Sequence, residues 1–200
     1  MSAPYLRSIA TRRTIYQLGR QNFPLSHAEV TAIVTDIVKH TPSSFNSQTT
    51  RAVIIFDKNH EKLWGEFAHD ALKAISTSEE AFAATKAKLD MFKGAYGTVL
   101  FFEDDNGIKK MQEQFPLYAS KFPEFAGHSS GAAQINVWTA LALENVGANL
   151  QHYSPLIDAD VHKAFNVPEN FRLTAQLVFG SKVGEAGEKT FLADTVRTIE

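Results

Sequence analysis

Residues 41–56 read TPSSFNSQTTRAVIIF. Nine hydroxyl, amide or proline residues precede Arg51 in that stretch, whereas a plain turn needs two or three. The composition then switches to RAVIIFD (51–57), an apolar run of β-formers that reads as a buried strand. Upstream, Val30, Ile33, Val34, Ile37 and Val38 recur at helical spacing behind a Ser26–Glu29 capping-box pattern. Pro42 therefore breaks an amphipathic helix, and a small-residue polar segment sits at the mouth of a strand. Its polar groups exceed the needs of a connection, so the segment is a candidate to hold something other than itself.

Working outward, Leu6, Ile9 and Ala10 begin a first helix that runs through ATRRTIYQL and is closed by Gly19. Leu63, Trp64, Phe67, Ala71, Leu72 and Ile75 outline another helix. A second capping-box pattern, Thr77 with Glu80, predicts a helix reaching Phe92 and stopping at Gly94. AYGTVLFFE (95–103) is almost continuously apolar, the mark of a central strand covered on both faces. The stretch IKKMQEQFPLYASKFPEF, with two prolines and four aromatics, predicts short helices in a surface insert. From Ser130 to Val146 apolar residues fall on nearly every side of a helix that Gly147 ends, which predicts burial. An extended piece over 149–153, a small helix from Pro155, a third strand at 172–179 and a glycine-rich turn leading to a tail complete the chain. Long helices with at least three separated strands predict one α+β domain over residues 1–200.

The bulk numbers narrow the function. A hydrophobic content of 44% supports a sizeable core, and a net charge of −2 gives no footprint for nucleic acid. Without cysteine there is no disulfide, thiolate metal site or cysteine nucleophile. No run of 18 apolar residues and no leader pattern is present, so the expectation is a cytoplasmic protein without membrane association. The seven histidines are scattered singly, so no metal site is expected. Neither a dinucleotide fingerprint nor a P-loop occurs. Gly127-His128-Ser129-Ser130-Gly131 matches the nucleophile-elbow pattern, with Asp158 and His162 downstream, but the preceding SKFPEFA is no strand. The serines are better read as N-caps for the buried helix.

Three polar groups remain. Arg12-Arg13-Thr14 lies at the end of the first helix and suits an anion, because guanidinium forks and a hydroxyl match phosphate geometry. Segment 42–48 offers hydroxyls and amides. Lys189 stands in the glycine-rich turn.

In this order these features resemble the nitroreductase family of FMN-dependent oxidoreductases, through ATRRTIYQL, TPSSFNSQTTRAVIIF, GAAQINVWTALALENVGANLQHYSPLI and the late GEK. The wording RRTIY, PSSFNSQ, YGTVLFFED, HSSGAAQ, GANLQHYSPLID and GEKTF is similar to the fatty-acid-repression-type branch. The resemblance implies a nitroreductase-like α+β fold, its central mostly antiparallel sheet surrounded by helices, in a homodimer with FMN at the subunit interface. It implies a ping-pong cycle in which NADH or NADPH is the reductant and nitroaromatics, quinones or similar small acceptors are reduced. A flavin-binding regulatory or redox-sensing protein with little turnover is the alternative.

By the family pattern Arg12, Arg13 and Thr14 match the FMN phosphate and ribityl motif, and Lys189 the late basic position closing on the phosphate. Pro42, Ser43, Ser44, Asn46 and Gln48 match the loop that reaches the flavin from the partner subunit. Leu150, Gln151 and His152 match the stretch beside the isoalloxazine ring. Tyr16 departs from the family, where many members carry another basic residue. No catalytic side chain is assigned, because the hydride chemistry belongs to flavin N5. A backbone N–H or the Gln151 amide is a candidate donor to the flavin N1/O2 edge. Phe115, Tyr118, Phe122 and Phe125 are candidates for a pocket wall or lid, or for a satellite core.

Overall fold

The structure, a computed structural model, describes every residue except Met1 and Asp194. Its elements are α1 (Ala3–Thr11), β1 (Leu18–Gly19), α2 (His27–His40), β2 (Thr50–Phe56), α3 (Asp57–Lys62), α4 (Ala68–Ile75), α5 (Glu79–Lys93), β3 (Gly97–Asp104), α6 (Asp105–Gln114), α7 (Phe122–Leu143), β4 (Val146–Gln151), α8 (Asp158–Phe165) and β5 (Phe171–Lys182). A π-helical turn over Leu63–Phe67 joins α3 to α4. Short 3-10 turns cover Ser44–Asn46 and Pro116–Lys121.

The five strands all pair antiparallel, and β5 is the centre of their sheet. Val178 of β5 pairs with both Thr98 of β3 and Asn149 of β4, so β3 and β4 must flank β5 on opposite sides. β2 lies beyond β3, and the short β1 pairs with the last residues of β5. Side chains alternate between two cores. Leu100, Phe102, Leu173 and Val178 face Trp64, Leu89, Phe92 and Ile157, while Val99, Phe101, Ala175, Leu177 and Phe179 face Val34, Val137 and Leu141. The register slips where Phe101 pairs with Ala175 and Phe102 with Leu173. Thr174, left over in this bulge, donates its hydroxyl to the Phe101 carbonyl at 3.0 Å, so the interrupted ladder leaves that acceptor satisfied.

Local chemistry explains most elements. Ser26 caps α2 by accepting from the Glu29 N–H, and the Glu29 carboxylate accepts in return from the Ser26 N–H at 2.7 Å. The β3 strand is buried along nearly its whole length, as its unbroken apolar run requires. Four boundaries differ from the sequence reading. α1 ends at Thr11 and the following residues extend along β4, with Ile15 donating to the Ala148 carbonyl at 2.9 Å. Ser78, not Thr77, caps α5 by accepting from Ala81. α7 begins at Phe122 rather than Ser130. Gly147 does not stop that helix but lies inside β4, where a Cβ would come 2.7 Å from Leu18 Cδ2. Gly180 serves the same close approach: its Cβ would lie 2.6 Å from the Gly19 carbonyl. No helix among the described residues is long and apolar enough to cross a membrane.

One buried polar chain ties the first core to the sheet. Trp64 Nε1 donates to Thr98 Oγ1 at 3.0 Å, the Thr98 hydroxyl donates to His60 Nδ1 at 2.9 Å, and His60 Nε2 donates to the Phe92 carbonyl at 2.9 Å. Every donor and acceptor in this chain is used only when the imidazole is neutral. Burial, reinforced by the Arg20 charge, lowers the His60 pKa to about 4. The unfolded chain therefore binds the proton first, at an ordinary pKa near 6.5. Stability from this group is fully present above pH 6.5 and is lost as pH falls toward 4. Denaturant unfolding should lose about 2 kcal/mol between pH 8 and pH 5 through this group, and His60→Gln should flatten that part of the profile. An unchanged slope in the variant would remove His60 as the cause.

Candidate functional site

Arg12 and Arg13 leave the end of α1 in different company. The Arg12 guanidinium lies over the Trp138 ring of α7, 4.3 Å from its centroid, a stacking geometry suited to a planar cation. Burial and the adjacent Arg13 charge both lower the Arg12 pKa from its ordinary value, with burial the larger effect. Arg13 donates to the Gly187 carbonyl. Among the described residues neither arginine pairs with a carboxylate. Two adjacent, partly buried cations that meet no carboxylate among the described residues suit an anion.

The tail comes to the same place. Val183 and Gly184 donate to the Gln17 carbonyl at 3.0 and 3.3 Å, and Gly187 then meets Arg13. Lys189 follows two residues later, exposed, its ammonium 5.2 Å from the Phe191 ring centroid. The tail segment that leads to Lys189 is therefore held at Arg13. Thr14 forms a parallel bridge with Ala148 on the outer edge of that strand.

The same edge continues past the bridge. Ala148 uses its carbonyl toward Ile15, and alternation turns the N–H and C=O of Leu150 the same way, beyond the reach of the first segment. Leu150 packs its side chain into the α7 core, so Gln151 points to the opposite face. The Gln151 amide is buried there and donates to Asn149 Oδ1 at 2.8 Å, while Asn149 Nδ2 donates to the Ile15 carbonyl at 2.9 Å. The Gln151 side chain is thus committed to the protein, and the open edge offers backbone at Leu150. His152 is exposed where the strand ends. Tyr16 is exposed beside Lys88, 6.0 Å from the ring centroid to the ammonium.

Segment 42–48 lies elsewhere in the chain. It precedes β2, whose first residue Thr50 pairs with Glu103, itself opposite Arg172, whereas Gln151 is opposite Gln176. Three strand spacings, about 14 Å, and four residues of rise, about 13 Å, separate Thr50 from Gln151. Within one chain the start of β2, which segment 42–48 precedes, and the end of β4 therefore lie at opposite margins of the sheet. Within the segment, Ser43 Oγ accepts from the Gln48 N–H at 2.9 Å. Pro42, Ser43 and Gln48, with Thr41, Arg51 and Ser129, line a cavity of about 110 Å³.

The segment is fastened where it enters β2. Thr49 and Thr50 each donate a hydroxyl to the buried Glu103 carboxylate at 2.6 Å. Burial raises the Glu103 pKa, opposed by the two hydroxyls and by Arg172 and Arg51. Arg51 donates to the Gln48 carbonyl and to Asp104 Oδ2 at 3.1 Å. Phe45 (φ 56°), Asn46 (φ 52°) and Gln48 (φ 47°) all adopt left-handed backbone, which for a bulky residue costs about 1–2 kcal/mol.

The elbow motif dissolves in this setting. Gly127 to Gly131 lie inside α7, where Ser129 donates to the Phe125 carbonyl at 3.0 Å and Ser130 meets Thr174 at 3.2 Å. Neither serine is an N-cap. Asp158 and His162 share α8, and His162 Nδ1 lies 3.2 Å from the Val167 carbonyl. No hydrolase triad forms.

Residues 9–181 match the nitroreductase family model. The chain is 39% identical over 194 residues to the nitroreductase FRM2 of Saccharomyces cerevisiae, covering 96% of this chain and 95% of that one. The nitroreductase CinD from Lactococcus lactis, solved in complex with chloramphenicol and with nicotinic acid, is 47% and 48% identical; each comparison covers 98% of both chains, with TM-scores of 0.87 and 0.89. A nitroreductase with bound FMN from Desulfitobacterium hafniense DCB-2 is 15% identical, with a TM-score of 0.73 and 98% and 97% of the two chains covered, a likeness of fold.

Proposed function

The chain belongs to the nitroreductase family, and from that membership we propose that it is an FMN-dependent oxidoreductase that takes electrons from NADH or NADPH and passes them to nitroaromatics, quinones or similar small acceptors. The observation that carries this reading is the guanidinium pair at Arg12 and Arg13, which meets no carboxylate among the described residues. A mononucleotide dianion supplies the missing charge, and Lys189 follows the tail segment that Arg13 holds. Bound FMN would supply the hydride chemistry.

The chain's own residues bind and orient it. Trp138 sets the plane of Arg12, and Thr14 adds a hydroxyl between the arginine pair and β4. Leu150 offers a backbone N–H at the open edge of β4, and this replaces the Gln151 amide as the donor toward the electron-rich side of the ring. Segment 42–48 completes the site from a second copy of the chain, since its own copy lies across the sheet. Two features support a homodimer. α7 is apolar on most sides, yet Ile135 and Leu143 remain exposed, beside Tyr5 and Ile9 of α1 around a cleft of about 410 Å³. The tail also exposes Phe191, Leu192, Val196 and Ile199.

Purified protein should be yellow, and anaerobic NADH or NADPH should bleach it. Bound flavin that neither nicotinamide reduces would instead favour a regulatory protein. Replacing Arg12 and Arg13 together by alanine should weaken FMN binding on the order of 100-fold or more while the chain stays folded; stoichiometric flavin in the purified variant would refute the phosphate assignment. Sedimentation on dilution should show flavin leaving as the dimer dissociates, and a fully loaded monomer would contradict a site shared between chains.

A further inference from the structure

The 45–48 backbone is bent into a conformation that its sequence does not favour. Phe45, Asn46 and Gln48 have positive φ, and none is glycine. Asparagine tolerates that region; phenylalanine does not. Strain of this kind persists only where the surroundings over-determine it. The surroundings here are aromatic. The half-exposed Phe45 ring sits 4.7 Å from Phe115, 5.5 Å from Tyr118 and 5.5 Å from Phe122, centroid to centroid. Those partners come from the 3-10 turn and the start of α7, the insert that follows β3. Phe115 and Phe122 belong in turn to a small separate core with Ile108, Met111 and Ala126.

A second tie joins the same two pieces. Asp104 caps α6, the first helix of the insert, by accepting from Asn106 and Gly107 at 3.1 and 3.2 Å. Its other oxygen accepts from Arg51, which also holds the Gln48 carbonyl. The segment is thus gripped at Phe45 by rings of the insert and at Gln48 by a charge-assisted link that runs through Arg51 of β2 to Asp104, the last residue of β3 and the cap of the insert's first helix. Between the grips, Asn46 and Ser47 donate to the Ser43 and Ser44 carbonyls at 2.9 and 3.1 Å.

We infer that Phe45 is a positioning residue: the aromatic insert, through the Phe45 ring, holds residues 45–48 in the left-handed turn that presents the polar side chains of segment 42–48 to the cofactor of the neighbouring site. The inference deepens the flavin reading and rests on it for the identity of that cofactor. It makes the insert a second support of the site, acting through the loop. The sequence separation between Phe45 and Phe115 hides this coupling from any local pattern.

The test uses the full-length protein and three variants: Phe45→Ala, which removes the ring and keeps the strained backbone; Phe45→Tyr, which keeps the ring; and Phe115→Leu, on the insert side. Hydrogen exchange of the 46–48 amides is measured without flavin, then the FMN dissociation constant and the acceptor kcat/KM of the loaded enzyme. Phe45→Ala and Phe115→Leu should each speed exchange at 46–48 about tenfold and weaken FMN about tenfold, with Phe45→Tyr within about twofold of the parent. Native exchange in Phe45→Ala would overturn the inference. So would faster exchange with unchanged FMN affinity and acceptor kcat/KM, or a Phe115→Leu protein whose insert loosens while 46–48 does not. If the parent protein takes up no FMN, the function proposed above fails, and the exchange measurement still decides whether the insert holds the loop.

Discussion

Two neighbouring guanidinium groups that meet no carboxylate among the described residues set the terms for the rest of this molecule. Burial disfavours a charged Arg12, and Arg13 adds repulsion, so the fold supports the pair with other means. Trp138 contributes a π-face beneath one cation, and the Gly187 carbonyl contributes an acceptor for the other. Both supports arrive from distant sequence, one on the long central helix and one on the tail. An anion is the partner proposed for the site, and the dianionic phosphate of a mononucleotide would fill that role without a glycine-rich dinucleotide fold.

The sheet topology is what motivates the proposed sharing of the site between two chains. β4 carries the first segment on its free edge, whereas the polar 42–48 segment opens β2 at the other margin. With β3 and β5 between them, the site proposed here takes its two halves from two chains. The apolar residues that α1, α7 and the tail leave uncovered would give the proposed association its driving force, since removing apolar surface from water is the main favourable term in protein assembly.

Much of this was legible in the residues, for identifiable reasons. The Ser26–Glu29 box and the apolar run of β3 are local signals, and both elements form where those signals place them. The end of the first helix was not legible, because ATRRTIYQL keeps helical composition while its backbone leaves to bridge β4. The start of α7 was missed because Gly127 and the serines look like a break; burial within the fold lets that segment continue as helix. Gly147 reads as a stop signal but answers a steric demand made by Leu18. The polar character of 42–48 was plain, yet its left-handed turn depends on rings some seventy residues away, and no propensity predicts a phenylalanine there. Trp138 beneath Arg12 and the committed Gln151 amide are likewise tertiary facts.

The claim that the site is built from two chains is tested most directly by subunit complementation. One variant lacks Arg12 and Arg13; another carries alanine at Asn46 and Gln48; neither should retain flavin alone. Refolded together in equal amounts, they should regain about a quarter of the parent flavin content, because each mixed dimer contains one site with both halves intact. A mixture that stays as colourless as its components would contradict the account and place the whole site within a single chain.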